Sequence, residues 1–221
     1  MKTGWDNLKN VKFGTPPSKK KKEKNDPVKK SRRRTEVCVV LSDRYLYRRA
    51  YSESKLLDAC GKFDFMEGYS YHFVTAGDVD SLSFLKSILR QQDLEYCLFS
   101  TWCMAAEDVL QFDEWVGAGK IKKLDAYVGE IFPTTYRIEN AMLNSLFDKY
   151  KCGRKVVFRN HSKVYAGYGE KFAFAIESSA NINTNPRTEN TCITINRELY
   201  EFYKDYFDGI VSFERDGKEG V

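Results

Sequence analysis

The chain has 221 residues, 42% hydrophobic and 14% aromatic, enough apolar material for one ordinary domain whose core needs no disulfides, and this excludes fibrous and miniprotein architectures. No apolar run approaches the about 18–20 residues of a membrane-spanning helix, and the opening Met1-Lys2-Thr3-Gly4-Trp5-Asp6 leads into charged sequence without an apolar signal core, so the expectation is an intracellular, cytoplasmic protein. The net charge of +5 is uneven: residues 1–34 hold thirteen lysines and arginines against Asp6, Glu23 and Asp26, which leaves −5 on the rest.

Residues 14–34 contain three prolines and a single aliphatic residue, Val28, too little apolar surface to offset the entropy of ordering. The composition predicts a disordered basic arm over residues 1–34, preceded within it by a short docking segment around Trp5, Val11 and Phe13. Its cations Lys19, Lys20, Lys21, Lys22, Lys29, Lys30, Arg32, Arg33 and Arg34 read as an electrostatic handle for nucleic acid; acidic lipid, a protein partner or a solubilising linker are the alternatives.

From Thr35 short apolar runs alternate with amphipathic stretches, the pattern of an α/β domain over residues 35–210 followed by a tail over 211–221. The predicted order is a strand at 36–41, a helix at 44–60, a strand at 72–76, a helix through Leu82, Phe84, Leu85, Ile88 and Leu89, a strand at 94–100, a helix at 104–116, a strand at 121–128 and a helix at 136–150. That repeated unit favours a largely parallel sheet covered by helices. Strands then follow at 155–159, 162–166, 171–177 and 191–196, with Gly167 and Gly169 placed for a hairpin turn, before a closing helix over 197–206.

Cys38, Cys60, Cys97, Cys103, Cys152 and Cys192 are scattered and form no CxxC pair, which reads as reduced core thiols. With His72 and His161 as the two histidines, neither a metal site nor a cofactor is expected. Gly117-Ala-Gly119-Lys120 lacks the spacing and the strand-loop-helix order of a phosphate loop and reads as a helix C-cap. In Gly77-Asp-Val-Asp-Ser81, one of Asp78, Asp80 and Ser81 serves as an N-cap.

The chemistry lies in residues 160–190. On a strand, His161 and Lys163 project from one face, and a hairpin brings Ser178-Ser179-Ala180-Asn181 beside them if the strands are neighbours. A neutral imidazole can attack phosphorus, an ammonium can balance its oxygens and an amide can donate to them. His-x-Lys, a hairpin, Ser-Ser-x-Asn and then Glu189-Asn190 together resemble the HKD motif of the phospholipase D superfamily, HxK(x)4D followed by GSxN. The resemblance covers residues 70–210 and implies a phospholipase D-like mixed α/β sheet flanked by helices. It implies His161 as nucleophile, Lys163 and Asn181 as phosphoryl ligands, and Ser179 and Glu189 as orienting groups, Glu189 on the histidine ring.

Two departures stand out: Ser178 replaces the motif glycine, and Tyr168 occupies the place of the motif aspartate, which in the family is mainly structural. His72 is followed by Phe73 and Val74 and cannot start a second motif; it reads as a hydrogen-bonded sheet histidine. Single-motif members pair their sites across a homodimer, so a second His161 would come from a partner subunit. The implied activity is metal-independent phosphodiester hydrolysis, as a nuclease acting on DNA or RNA. The alternatives are an inactive nucleic-acid or protein binding module and a lipid-headgroup phosphodiesterase.

Overall fold

A computed structural model describes residues 40–183 and 187–213. The basic arm, its docking segment, Cys38 and residues 214–221 of the predicted tail lie outside the described residues. The predicted strand over 36–41 is corrected where it is described: Val40 and Leu41 open α1 (Val40–Cys60). A run of branched residues suits strand or helix by local composition, and here its last two residues belong to the helix that follows.

Among the described residues, seven strands form one mixed sheet. β1 (Ser70–Thr75), β2 (Leu94–Thr101), β3 (Leu124–Gly129), β4 (Gly153–Phe158), β5 (Val164–Gly169), β6 (Ala173–Ser178) and β7 (Glu189–Ile195) are ordered β1-β7-β6-β5-β2-β3-β4. Only β2, β3 and β4 run parallel; β5, β6, β7 and β1 continue the sheet antiparallel. The largely parallel sheet expected from the strand-helix repeat is therefore corrected to a mixed one. β5 to β7 enter between β1 and β2, so the first strand-helix unit does not pair with the second.

The strand β2, LEYCLFST, shows why the centre of the sheet holds. Cys97 and Phe99 join one core with α2 (Leu82–Leu89), α3 (Ala106–Gly117) and α5 (Arg137–Tyr150), while Tyr96 and Leu98 join a second under α6 (Arg197–Asp208). Both faces are covered, so the sequence is apolar throughout rather than alternating. Phe99 stacks on Phe112 of α3 at 4.6 Å, and Tyr127 meets Phe207 of α6 at 4.7 Å. The turn-like α4 (Phe132–Thr135) precedes α5, and Ser212 and Phe213 bond to Val157, fastening the start of the expected tail to the edge of β4.

Gly167 and Gly169 are not in a turn. Both lie inside β5, where added Cβ atoms would come within 2.5 Å of Tyr96 O and 2.2 Å of Asp93 O. They are needed for close strand approach. The reversal occurs at Glu170-Lys171, where the Gln92 side chain accepts from Lys171 N (3.0 Å) and Phe172 N (3.2 Å) and donates to Phe172 O (3.0 Å). At the two caps read from sequence, Gly119 (φ +73) ends α3 and Asp80 Oδ1 accepts from Ser83 N (3.0 Å) at the start of α2.

Candidate functional site

β2, β3 and β4 finish at the same sheet end where β5 begins, β6 stops and β7 starts. The His161-Ser162-Lys163 segment sits there, but in the loop before β5 rather than on a strand, since β5 begins at Val164. The two side chains meet through hydrogen bonds instead of strand alternation. Lys163 Nζ donates to His161 O at 2.6 Å and lies 3.2 Å from His161 Nδ1.

Lys163 is 8% exposed. Burial lowers its pKa below the ordinary lysine value, opposed by the nearby Cys103 and Glu189. The imidazole itself is exposed, with the half-buried Trp102 ring 5.8 Å away at 50°. An ammonium and an indole thus stand beside the His161 ring.

The second half of the motif arrives along β6. Ser178 N donates to Lys163 O (2.9 Å), which joins the end of this strand to the His-x-Lys loop as the hairpin reading required. Ser179 Oγ donates to Glu189 and accepts from Asn190 N (3.0 Å), pinning β6 to β7. Glu189 thus has Ser179 as its hydrogen-bond partner at one oxygen, while its charge also reaches Lys163 beside His161. Asn181 is held by its backbone, its carbonyl accepting from Ser81 N (3.4 Å), while Ile182 bridges to Met104. Among the described residues, its Oδ1 is the buried side-chain polar atom left without a hydrogen bond. Such an atom is costly, and because it only accepts, it is completed by a donor and not by a phosphoryl oxygen.

Tyr168 lies five residues beyond Lys163, roughly 17 Å along the strand. Its ring packs on Tyr200 at 5.4 Å under the Arg197 guanidinium. The aspartate replacement therefore sits at the far end of β5 from His161. His72 is exposed on β1, its Nε2 3.8 Å from Cys192 Sγ.

Residues that motif reading missed complete the loop. Asn160 is 6% exposed and joins Ser162, Ser100, Thr101 and Tyr127 by hydrogen bonds. Asn-x-Ser before a strand is a local turn signature, so this signal was present; the partners on β2 and β3 carried none. A cavity of about 300 Å³ elsewhere is lined by Glu53, Asp80, Glu107 and Asp108 with Lys86, a charge balance unsuited to a phosphodiester. Among the described residues, no three His, Cys, Asp or Glu side chains gather to hold a metal, and no helix is long and apolar enough to cross a membrane.

No protein-family model and no curated protein matches the chain. Among solved structures it is similar to polyphosphate kinase from Porphyromonas gingivalis, at 15% identity over 66% of this chain and 27% of that one, with a TM-score of 0.46. It is similar also to NucT from Helicobacter pylori (15% identity, 63% and 93% of the two chains, TM-score 0.47) and to phosphatidylserine synthase from Haemophilus influenzae Rd KW20 (10% identity, 63% and 37%, TM-score 0.45). The chain thus spans about a quarter of the kinase and over a third of the synthase.

Proposed function

We propose that this protein is a metal-independent phosphodiesterase of the phospholipase D type, acting on nucleic acid through His161. The observation that carries the reading is the buried Lys163 ammonium held 3.2 Å from an exposed imidazole, at the sheet end reached by Ser178, Ser179 and Asn181. A cation that is expensive to bury but left within reach of solvent-facing His161 suits an incoming anion.

In this mechanism the Lys163 ammonium and the side-chain N–H groups of Asn181 donate to the non-bridging oxygens. While Lys163 donates to Nδ1, the proton of a neutral His161 ring sits on Nε2; a phosphoryl group that draws the ammonium away lets Nδ1 take the proton and frees Nε2. Nε2 then attacks phosphorus, the bond from phosphorus to the leaving oxygen breaks, and His161 of a second subunit protonates that oxygen. Water, deprotonated by the same partner imidazole, cleaves the phosphohistidine in the second half-reaction. Ser179 and Glu189 brace the β6–β7 end. The thirteen cations of residues 1–34 favour DNA or RNA over a lipid headgroup, because they match a polyanion longer than one phosphate.

The test is hydrolysis of bis(4-nitrophenyl) phosphate and of DNA and RNA oligonucleotides by the full chain in EDTA. His161→Ala is expected to lose several orders of magnitude in rate while remaining folded, and wild-type/His161→Ala mixed dimers to lose most of theirs. Activity that needs a divalent ion, or full activity in a monomer, overturns the mechanism.

A further inference from the structure

We infer that Asn160 is the positioning residue of this site, the group that fixes the backbone of His161 relative to the ends of β2 and β3. The inference rests on the functional reading above but concerns a residue outside the motif. Asn160 Oδ1 accepts from Ser162 N at 2.9 Å. This bond from side chain i to main chain i+2 closes an Asx-turn, and the residue enclosed by it is His161. Lys163 Nζ, bonded to His161 O at 2.6 Å, tightens the same turn from its other side.

The far end of the carboxamide anchors that turn to the sheet. Asn160 Nδ2 donates to Ser100 Oγ (2.9 Å) and to the carbonyls of Tyr127 (3.1 Å) and Thr101 (3.2 Å). Ser100 Oγ lies 2.6 Å from Ser162 Oγ, and Ser162 Oγ donates to Asn160 Oδ1 at 2.7 Å. The directions close into a ring: Asn160 Nδ2 to Ser100, Ser100 to Ser162, Ser162 to Asn160 Oδ1. The amide orientation follows from its partners. Two main-chain carbonyls can only accept and one main-chain N–H can only donate, so NH₂ must face the first pair and oxygen the second.

Asn160 therefore cannot be exchanged for its isostere without loss. Asn160→Asp keeps shape and volume, keeps the Asx-turn acceptor, and sets a carboxylate oxygen against two carbonyl oxygens in a buried place. The turn survives, yet its anchor to β2 and β3 becomes repulsive. A shift of about 1 Å in a reacting group costs about 100-fold in rate. Asn160 does not touch the exposed imidazole, so its effect reaches chemistry through the placement of His161 and Lys163.

The experiment measures kcat and KM of full-length Asn160→Asp and Ser162→Ala on bis(4-nitrophenyl) phosphate, alongside the ¹H–¹³C NMR resonance of the His161 ring, assigned by its absence in His161→Ala. Asn160→Asp is expected to lose about 100-fold in kcat at KM within about threefold of wild type, with the His161 resonance broadened or split while that of His72 stays put. Ser162→Ala, which keeps its main-chain N–H to Oδ1 and loses one ring member, is expected to lose about tenfold in kcat. If Asn160→Asp does not fold, Ser162→Ala decides the matter alone. A folded Asn160→Asp with wild-type kcat and an unchanged His161 resonance overturns the inference, as does Ser162→Ala with unchanged kcat and resonance. If wild type hydrolyses nothing, the phosphodiesterase reading fails, and the resonances alone decide whether Asn160 orders His161.

Discussion

Gly167 is the position at which the hairpin that carries the candidate site can be displaced by one methyl group. A Cβ there would stand 2.5 Å from Tyr96 O, 3.2 Å from Cys97 Cα and 3.2 Å from Phe174 Cε1. The first two are backbone atoms of β2, an interior strand of the sheet, so no side-chain rotation relieves them. Ordinary contact begins near 3.4 Å, and the strands must therefore part by about 0.9 Å or β5 must tilt. Overpacking of this kind costs about 1–3 kcal/mol, and each stretched ladder bond adds about 1 kcal/mol. Gly167→Ala should destabilise by about 2–4 kcal/mol and, with a urea slope of about 2 kcal/mol/M, lower the unfolding midpoint by about 1–2 M. It should also reduce kcat on a small diester, because Lys163 lies four residues upstream on the same chain path. Gly209→Ala is the control: its Cβ would meet nothing closer than 3.6 Å at a φ of −73°, so its midpoint should stay near that of wild type. An unchanged midpoint for Gly167→Ala, or an equal fall for Gly209→Ala, would refute the close-approach argument.

Burial pushes the Tyr200 hydroxyl up to about 12, and a group whose folded pKa is raised stabilises the fold below its unfolded value of about 10 and loses that contribution as pH climbs through the folded value. Tyr200→Phe should therefore unfold at a higher urea midpoint than wild type between pH 10 and 12 while matching it near pH 7; parallel curves over the whole range would contradict this. Deleting residues 1–34 should leave cleavage of bis(4-nitrophenyl) phosphate unchanged and weaken DNA binding most at low salt. If about five of the cations meet phosphates, the log-log salt slope should become shallower by about 4–5 units. An unchanged slope and affinity would assign the arm to some other partner.

Local pattern was sufficient for most elements. The apolar run at Leu94–Thr101, the 3.6-residue spacing through Leu82, Leu85 and Leu89, and the amphipathic stretch ending at Tyr150 all report a backbone period within one segment. The His-x-Lys and Ser-x-Asn pairs were legible for the same reason, since each is a short spacing on one piece of chain. Sheet order was not. That β1 pairs with β7, and that β5 lies against β2, depends on residues 64 or more positions apart, and nothing in either strand's own alternation names its neighbour. Gly167 shows the limit clearly: a glycine between apolar residues means a turn or a close approach, and the carbonyl of Tyr96 decides which.

The same division runs through the site. Sequence alone determined which side chains could do phosphoryl chemistry and that the positive charge concentrates in the first 34 residues, because residue identity and charge do not depend on folding. Tertiary structure decided that His161 and Lys163 share a loop and not a strand face, that Ser179 donates to Glu189, and that Asn160 ties the loop to Ser100, Thr101 and Tyr127. Hydrogen bonds of this kind are set by where distant strands end, and those ends are brought together by burial of the two cores flanking the sheet, a non-directional force that leaves no mark at the residues it places.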